Sequence, residues 1–399
     1  MMKLSVLLSL YILIPILFYN CSVTKVVDQN NNKLFAEAKE KFAPDSRVAV
    51  FDISGIKKGK NIVLKGETTN KEAKEFLIKI FMDSKMNVTD SIKMLPEAGL
   101  KENFAIVRVS VSNLRTKPQH SAELATQAIM GTPLKVLRND NNWSLVQTPD
   151  QYIAWVDNSG IELMNEGERK KWLKIPKLIA NVQNGLITES EEIHSNPVSD
   201  FVIGSIVGLK GESIDKKFWI VTLPDNRIAY ADKKDFQKIE DFYTANNEIS
   251  SDDLINDSYQ FLGSPYLWGG TSSKGMDCSG FTKTVFFING FIIPRDASQQ
   301  VKVGDPVKLD EAFSQLLSGD LLFFGNKRPD NSDSITHVGI YLGEGRFIHS
   351  SGIVKIESLL PSDKDYSDFR AKSLLQARRY INCKNQSGIY RIQSTYGYY

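Results

Sequence analysis

Apolar and polar residues in the N-terminal quarter of the chain alternate between helix-like and strand-like spacing. From Lys71 to Lys85 the apolar side chains recur every three to four residues, which places them on one face of an amphipathic helix. Ala36–Phe42 has a helical composition, whereas Arg47–Ser54 and Asn61–Glu67 have the composition of strands. Residues 35–100 are therefore predicted to form a small α/β domain, and this stretch contains no catalytic constellation.

The first 21 residues have the pattern of an export signal. Lys3 is followed by the apolar run Leu4–Tyr19, which is too short and too early for a convincing membrane-spanning helix, and then by Asn20 and Cys21. Cys21 resembles the lipidated cysteine of bacterial lipoproteins, whereas Asn20 departs from the small residue usual before it. Lipid attachment and simple cleavage both stay open, and Pro15 disfavours the alternative of a buried N-terminal helix. We expect an exported protein of the cell envelope or periplasm, with residues 22–34 as a polar tether.

The element pattern of residues 35–100 resembles the BON-like domains of envelope proteins. The resemblance rests on pattern alone and assigns no role to this domain.

The middle of the chain contains a repeat with an offset of 75 residues, PDQYIAWVD (Pro149–Asp157) and PDNRIAYAD (Pro224–Asp232). Pro-Asp opens a turn, and the alternating residues after it predict a half-buried strand. We expect two small β-barrels in tandem, residues 101–165 and 166–247. Two hairpins of one larger sheet are the alternative. Together with VSNLRTKP (Val111–Pro118), the first copy resembles a bacterial SH3 (SH3b) domain, and the second resembles a diverged relative.

Length and charge narrow the class of protein further. A chain of 399 residues is long enough for two to four domains. Its formal net charge of +2 and the absence of a dense Lys/Arg run disfavour nucleic acid as a partner.

One of the three cysteines has the surroundings of a nucleophile. Cys278 lies between Asp277 and Ser279, after a Gly- and Ser-rich loop and before the apolar helical pattern that ends at Gly290. A cysteine at a helix N-terminus faces unpaired N–H groups, which are expected to lower the pKa of its thiol from about 8.5 toward neutrality. The same N–H groups can stabilise an oxyanion when the thiolate attacks a carbonyl.

Two of the four histidines lie on one predicted hairpin, 12 residues apart. A three-residue turn at Gly343–Gly345 would pair residue 342 with 346, so that His349 lies opposite Gly339 and diagonal to His337 on the same face. A two-residue turn would put the rings on opposite faces. His337 and His349 are thus candidates for the imidazole that a catalytic thiol requires.

The cysteines and histidines also allow structural and metal-binding interpretations. Polar neighbours disfavour a buried structural Cys278, and a disulfide between Cys278 and Cys383 is the alternative that export allows. His120 and His194 lie in polar turn sequence and are expected at the surface. Since the chain has no CxxC or HExxH motif, we expect no metal and no cofactor.

The segment Ser250–Tyr380 resembles the NlpC/P60 family of cell-wall cysteine peptidases, whose fold is papain-like. Five motifs carry the resemblance, in the order YLWGG (Tyr266–Gly270), MDCSGF (Met276–Phe281), IPRDASQQ (Ile293–Gln300), SGDLLFFG (Ser318–Gly325) and HVGIYLGEGRFIH (His337–His349). From Phe104 onward the arrangement is similar to γ-D-glutamyl-L-diamino-acid endopeptidases of the dipeptidyl-peptidase VI type. It implies an α+β fold in which a papain-like NlpC/P60 domain (residues 248–399) follows two SH3b-type barrels and the small N-terminal α/β domain.

The resemblance also implies residue roles. Cys278 is the implied nucleophile, His337 the general base and His349 the group that orients His337. The implied substrate-binding residues are Tyr266 near the oxyanion, Asp277 and Ser279 beside the substrate amine, Trp268 as a wall, Ser298 in the same region, and Glu123 and Tyr152 from the first SH3b domain. The second copy has Arg227 where the first has Tyr152, so only the first copy can supply that contact.

The implied substrate is a murein peptide, L-Ala-γ-D-Glu-(meso-diaminopimelate or L-Lys), cut after the γ-D-glutamate. Its free N-terminal amine would meet the carboxylates of Asp277 and Glu123, and its acyl group would pass to Cys278 and then to water. Three alternatives stay open: a peptidoglycan endopeptidase or amidase that acts on polymeric wall, a non-catalytic envelope binding protein, and an acyltransferase on the same fold.

Overall fold

The computed structural model describes residues 24–30, 32–192, 194–395 and 397–398. The predicted export signal and Cys21 lie outside the described residues. Within the described part of the chain, no helix has the length and apolar character needed to cross a bilayer. The chain forms two compact units: residues up to Pro44 with Phe51–Lys93, and Asp45–Val50 with the chain from Met94 onward.

The first unit is a four-stranded sheet with two helices, and its strand order is the sequence order. The side chains of Asn32 and Asn70 cap the two helices at their N-termini. Its elements are β1 (Lys25–Asp28), α1 (Lys33–Phe42), β2 (Phe51–Lys58), β3 (Asn61–Thr68), α2 (Lys71–Asp83) and β4 (Asn87–Met94).

Two sequence-based predictions in this region are wrong in detail. The polar tether predicted for residues 22–34 includes β1, which pairs with β2 through its backbone, so polar side chains do not prevent it from forming an edge strand. The strand predicted from Arg47 begins only at Phe51. The Arg47 carbonyl accepts a hydrogen bond of 2.6 Å from Ile153 N, and this tertiary contact takes the segment into the second unit.

The second unit begins with two antiparallel sheets of seven strands each. The first contains β5 (Phe104–Val107), β6 (Val111–Arg115), β7 (Leu124–Ile129), β8 (Pro133–Asp140), β9 (Trp143–Gln147), β10 (Ile153–Asp157) and β11 (Ile161–Met164), and is followed by α3 (Glu166–Lys174). The second contains β12 (Lys177–Ala180), β13 (Asn184–Thr188), β14 (Pro197–Val202), β15 (Ile206–Glu212), β16 (Phe218–Thr222), β17 (Ile228–Asp232) and β18 (Phe236–Lys238), and is followed by α4 (Ile239–Ala245).

The two sheets share one topology. The first has the order β11-β5-β8-β9-β10-β6-β7, and the second, from β18 to β14, has the corresponding order β18-β12-β15-β16-β17-β13-β14. This agreement matches the predicted tandem repeat rather than one larger sheet. Among the described residues the pairing ends at β11 and β7 and at β18 and β14, so neither sheet closes into the barrel that was expected.

The rest of the chain folds around a six-stranded sheet of order β22-β27-β23-β24-β25-β26. One face of α6 packs its apolar side chains against β24 and β25 in a common core. The elements are α5 (Ser251–Tyr259), β19 (Thr271–Ser272), β20 (Gly275–Met276), α6 (Cys278–Ile288), β21 (Phe291–Ile292), α7 (Ala297–Gln300), β22 (Asp305–Val307), β23 (Leu321–Lys327), β24 (Asp333–Gly343), β25 (Arg346–Ser351), β26 (Ile353–Ser358), α8 (Asp368–Ser373), β27 (Leu374–Arg379) and β28 (Tyr390–Arg391).

Candidate active site

Cys278 is the first residue of α6, as the sequence predicted. Asp277 caps the helix, since its Oδ1 accepts a hydrogen bond of 2.7 Å from Gly280 N. The core shared by α6 and β24 holds this helix start beside the strand that carries His337. Cys278 and Cys383 are both free, so the alternative disulfide is absent among the described cysteines.

The thiol of Cys278 is not activated by the helix in the way that the sequence suggested. Burial and the neighbouring carboxylate of Asp277 raise the pKa of Cys278 to about 11, while backbone N–H groups of Val338 and Ser279 act in the opposite direction. Only 7% of Cys278 is exposed, so desolvation of the thiolate outweighs the helix N-terminus. The resting thiol is therefore protonated at neutral pH.

The two histidines share one face of the hairpin, although the turn differs from the predicted one. Gly343 pairs with Arg346, so the loop has two residues, but the register shifts at Leu342. This bulge restores the predicted register below it, where Ile340 pairs with Ile348. A Cβ on Gly339 would lie 3.1 Å from His349 Cβ, which shows that Gly339 faces His349 and leaves room for its ring.

The imidazoles of His337 and His349 form a hydrogen-bonded pair. His337 Nε2 lies 2.7 Å from His349 Nδ1, and the ring planes are perpendicular, at 89°. Glu357 on β26 lies next to this pair, with its Oε2 3.1 Å from His349 Nε2. The two atoms are within ion-pair distance, but their geometry is not that of a hydrogen bond. His337 Nε2 is engaged by His349, so Nδ1 is the ring nitrogen of His337 that this pair leaves open.

Burial determines the protonation of this group. Desolvation, with His349 and Arg370 next in importance, puts the pKa of His337 well below its usual value, and desolvation also lowers the pKa of His349. The contact with His349 lowers the pKa of Glu357 to about 2. At neutral pH the carboxylate is therefore ionised and both imidazoles are neutral.

One cavity brings together most of the residues that were predicted for the site. It is lined by eight of the ten, namely Glu123, Tyr152, Tyr266, Trp268, Asp277, Cys278, Ser279 and Ser298. His337 and His349 are buried and do not line it, whereas Ile335 and Thr336, the two residues before His337 on β24, are part of its wall. His120, by contrast, is 79% exposed and lies 3.3 Å from Asp157, as a surface residue does.

The first seven-stranded sheet supplies one wall of this cavity. The Trp268 indole nitrogen donates a hydrogen bond of 2.8 Å to Glu123 Oε1. Beside it Gly269, with φ +77°, approaches Leu124 so closely that a Cβ would lie 2.4 Å from the Leu124 carbonyl oxygen. Only glycine allows the nucleophile loop to dock in this position. In the second sheet the residue corresponding to Tyr152, Arg227, binds its neighbour Asp225 at 2.8 Å.

Asp277 and Ser279 are held by a buried arginine that the sequence reasoning did not consider. Arg295 is 1% exposed, and its two Nη atoms lie 3.1 and 2.7 Å from the two carboxylate oxygens of Asp277. Its Nη1 also lies 3.0 Å from Ser279 Oγ. Asp277 in addition accepts hydrogen bonds from Gly269 N and Gly280 N. Both carboxylate oxygens of Asp277, the residue expected beside the substrate amine, are thus already engaged by protein donors.

A segment from the predicted N-terminal domain, outside the SH3b and peptidase domains, completes the cavity. Arg47 lines it and donates to Asp296 Oδ2 at 2.8 Å and to Ser298 Oγ at 2.9 Å. Arg47 is held in turn by Asp45, which accepts at 2.8 Å from both Nε and Nη2. Burial opposes ionisation of Asp45, but these bonds and that of Gln299 lower its pKa to about 2. This network fixes Asp296 and Ser298 on one side of the pocket.

Some of these residues carried a signal in the sequence. Arg295 and Asp296 belong to the motif IPRDASQQ, and Glu357 lies two residues beyond the position opposite His349, on the same strand face. Nothing in the sequence around Arg47 points to the cavity, because its contact with Asp296 spans 249 residues.

The comparisons with known proteins agree with this geometry. The sequence profile of the NlpC/P60 family matches residues 263–379, and that of the bacterial dipeptidyl-peptidase SH3 domain matches residues 114–161. The γ-D-glutamyl-L-lysine dipeptidyl-peptidase of Bacillus cereus is 32% identical over 252 residues, which cover 60% of this chain and 71% of that protein. Dipeptidyl-peptidase 6 of Lysinibacillus sphaericus is 26% identical over 250 residues, 62% of this chain and 87% of that protein.

A solved structure shows the same fold. The crystal structure of an NlpC/P60 family protein from Bacillus cereus superposes with a TM-score of 0.57 and 26% identity, over 70% of this chain and 99% of that one. The fold is that of a cysteine peptidase with an SH3 domain. The chain belongs to the NlpC/P60 family.

Proposed function

We propose that this protein is a cysteine endopeptidase that hydrolyses the bond between γ-D-glutamate and a diamino acid in murein peptides with a free N-terminal L-Ala. The observation that carries the proposal is the cavity beside Cys278, which is walled by Glu123 and Tyr152 of the first SH3-type sheet. A pocket with such a wall suits the end of a peptide better than the middle of a polymer. The names of two relatives, γ-D-glutamyl-L-lysine dipeptidyl-peptidase and dipeptidyl-peptidase 6, support the same substrate class.

We assign the proton transfers to a chain of four side chains. The negative charge of Glu357, 3.1 Å from His349 Nε2, favours the Nε2–H tautomer of His349. Its Nδ1 then accepts from His337 Nε2–H, and His337 Nδ1 takes the proton of Cys278. Because the thiol pKa is raised and the imidazole pKa is lowered, the proton moves as the sulfur attacks rather than beforehand. This order keeps the buried site free of an ion pair until the substrate is bound.

The proposed reaction has two acyl-transfer steps. The sulfur of Cys278 bonds to the γ-carbonyl carbon, His337 returns the proton to the leaving amine, and the C–N bond breaks. Water then attacks the thioester carbon, gives its proton to His337, and displaces the thiolate, which is reprotonated. The products are L-Ala-D-Glu and the free diamino acid or the peptide that begins with it.

Tyr266 is assigned to the oxyanion. Burial, followed by the charges of Cys278 and Asp277, raises the pKa of Tyr266 to about 12, so the phenol keeps its proton and can donate a hydrogen bond at neutral pH. The backbone N–H groups at the start of α6 add their dipoles on the same side.

We assign the substrate amine to Glu123, Tyr152 and Asp296 instead of to Asp277. The charged groups that line this cavity or pair with its lining are the carboxylates of Glu123, Asp277, Asp296 and Asp45 and the guanidinium groups of Arg47 and Arg295. Four negative charges against two positive charges leave a net negative pocket even with both arginines in place. A cationic amine fits that charge, whereas an acylated amine loses the attraction.

We place the protein in the cell envelope after export, with Cys21 as the candidate lipid attachment site. The envelope is where murein peptides occur. The chain is also similar to the probable endopeptidase p60 of Listeria innocua. An endopeptidase or amidase that acts on polymeric wall, with wall binding by the SH3-type sheets, is the alternative function.

Mass spectrometry of digests of L-Ala-γ-D-Glu-L-Lys and of its meso-diaminopimelate counterpart tests the proposal. The expected product is L-Ala-D-Glu from peptides with a free amine, with much slower release when the amine is acetylated. The variant Cys278→Ser is the control for contaminating peptidases. Equal cleavage of acetylated and free peptides, or cleavage at another bond, would refute the assigned specificity.

A further inference from the structure

Arg370, on the short helix α8, places a cation near the reacting groups. Its guanidinium lies 5.6 Å from the ring centroid of Phe324, and the Phe324 ring in turn lies 5.7 Å from that of His337. Arg370 Nη2 donates a hydrogen bond of 3.2 Å to Ser351 Oγ on β25. The side chain is half-buried, so holding its charge there costs solvation energy.

No carboxylate of the described residues lies within ion-pair distance of Arg370. The acid with the largest electrostatic effect on it is Glu357, which is already bound by Lys355 at 2.7 Å and by His349 at 3.1 Å. Desolvation lowers the pKa of Arg370. The attraction of Glu357, Cys278 and Tyr266 acts in the opposite direction but does not offset this lowering. The guanidinium nevertheless stays charged at neutral pH.

The two other arginines of the site, Arg295 and Arg47, differ from Arg370 because each has a carboxylate partner. Burial opposes the charge of Arg295 and of Arg47 as well, but the carboxylates of Asp277 and Asp45 more than offset it and raise the pKa of each. Arg370 alone among these three guanidinium groups is half-buried without a carboxylate partner. A cation of this kind is stabilised when an anion binds beside it.

The distribution of charge around Cys278 shows what such an anion would be. The cavity wall with Glu123 and Asp296 is net negative, whereas Arg370 does not line that cavity and lies on the α8 side, near Ser351 and Phe324. The nucleophile thus has negative charge on one side and an unpaired positive charge on another. This pattern suits a substrate with an amine at one end and a carboxylate beyond it.

We propose that Arg370 binds a carboxylate of the substrate and so forms an anion subsite on the α8 side of Cys278. The inference rests on the proposed function, because a γ-linked tripeptide offers carboxylates in two places. The α-carboxylate of D-glutamate stays free in a γ-linkage, and the leaving diamino acid of a tripeptide carries its own terminal carboxylate. Both are the same chemical group, and the two sources are separable by amidating either one.

The test compares three peptides: L-Ala-γ-D-Glu-L-Lys, its C-terminal amide, and its analogue with the D-glutamate α-carboxylate amidated. In Arg370→Gln we expect KM for the free acid to rise about tenfold to a hundredfold, with partial recovery in Arg370→Lys. The wild type should lose a similar factor on one of the two amides, which identifies the carboxylate, and Arg370→Gln should no longer distinguish that amide from the acid. Lys372→Gln is the matched control, since Lys372 lies on the same helix, is 74% exposed and pairs with Asp368.

Two kinetic outcomes would overturn the inference: Arg370→Gln behaving like the wild type on the free acid, or losing the same factor on all three peptides. The second would mean that Arg370 acts on the protein rather than on the substrate. If the wild type cleaves none of the peptides, the proposed function fails instead, and a substrate-independent readout still decides on Arg370.

That readout is the ratio of Cys278 alkylation rates by iodoacetate and iodoacetamide. An unpaired cation near the sulfur favours the anionic reagent, so the ratio should fall about fivefold in Arg370→Gln and stay constant in Lys372→Gln. An unchanged ratio in Arg370→Gln would contradict an anion subsite.

Discussion

The indole nitrogen of Trp268 donates a hydrogen bond of 2.8 Å to Glu123, although 145 residues separate the two along the chain. The first SH3-type sheet and the nucleophile loop therefore form one continuous wall of the cavity. The contact also fixes the direction of the Glu123 carboxylate, which the proposed function assigns to the substrate amine.

Replacing Glu123 by glutamine should weaken binding of peptides with a free amine. We expect KM to rise about threefold to tenfold with kcat nearly constant, and the effect should shrink at high salt because Glu123 is exposed. Steady-state kinetics at two ionic strengths measure both effects. Glu191→Gln, an exposed change in the loop between β13 and β14, is the matched control, and equal KM values for the two variants would argue against an amine contact.

The base and a surface histidine should respond differently to the same substitution. His337→Gln is expected to lower kcat by about 10²- to 10⁴-fold, because it removes the acceptor of the thiol proton. His120→Gln should leave kcat unchanged, since His120 lies at the surface beside Asp157. Assays of both variants under one set of conditions check this, and a comparable loss in the two would show that the base has been misassigned.

Glu357 is expected to act through His349. Glu357→Gln removes the charge that fixes the His349 tautomer, so we expect kcat to fall about tenfold to a hundredfold with KM unchanged. Glu344→Gln, at the left-handed position of the hairpin turn, is the control for a nearby acidic residue without this contact. A rise in KM with constant kcat would instead place Glu357 in substrate binding.

Alkylation of Cys278 by iodoacetamide should follow the raised thiol pKa. Below about 11 the thiolate fraction grows tenfold per pH unit, so the logarithm of the rate should rise with pH at a slope near one between pH 7 and 10. The pKa of Cys278 is raised rather than lowered because burial and Asp277 both disfavour the thiolate in the free enzyme. Cys278→Ser corrects for reaction at Cys383, and a rate plateau below pH 8 would be inconsistent with a protonated resting thiol.

Arg295 is expected to matter for folding as well as for the site. Arg295→Met leaves the buried carboxylate of Asp277 without its cation and breaks the hydrogen bond of 2.9 Å to Thr126 in the first sheet. We expect a loss of about 3–5 kcal/mol in the free energy of unfolding, measured by chemical denaturation. Arg328→Met, an exposed change in the loop between β23 and β24, should lower the free energy of unfolding only slightly. Equal stability of the two variants would contradict the role of the buried pair.

Local sequence determined much of the architecture. The helix that begins at Cys278 and ends before Gly290, the repeated strand–turn–strand of the two sheets, and the two histidines on one hairpin all follow from periodicity and turn residues within short stretches. Even the hairpin register was predictable, although the bulge at Leu342 replaced the expected three-residue turn.

What only the tertiary structure decided is the charge and the completeness of the site. The protonation of Cys278 depends on burial by residues distant in sequence, which outweighs the local helix N-terminus. The contacts of Arg47 with Asp296, Arg295 with Thr126, and Glu123 with Trp268 span 145 residues or more, and such pairs leave no periodic signal. The helices and strands are therefore predictable from the sequence, because they follow from short-range backbone preferences. Electrostatic pairing in the cavity is not, because it depends on the exclusion of solvent, which exists only after those elements have packed.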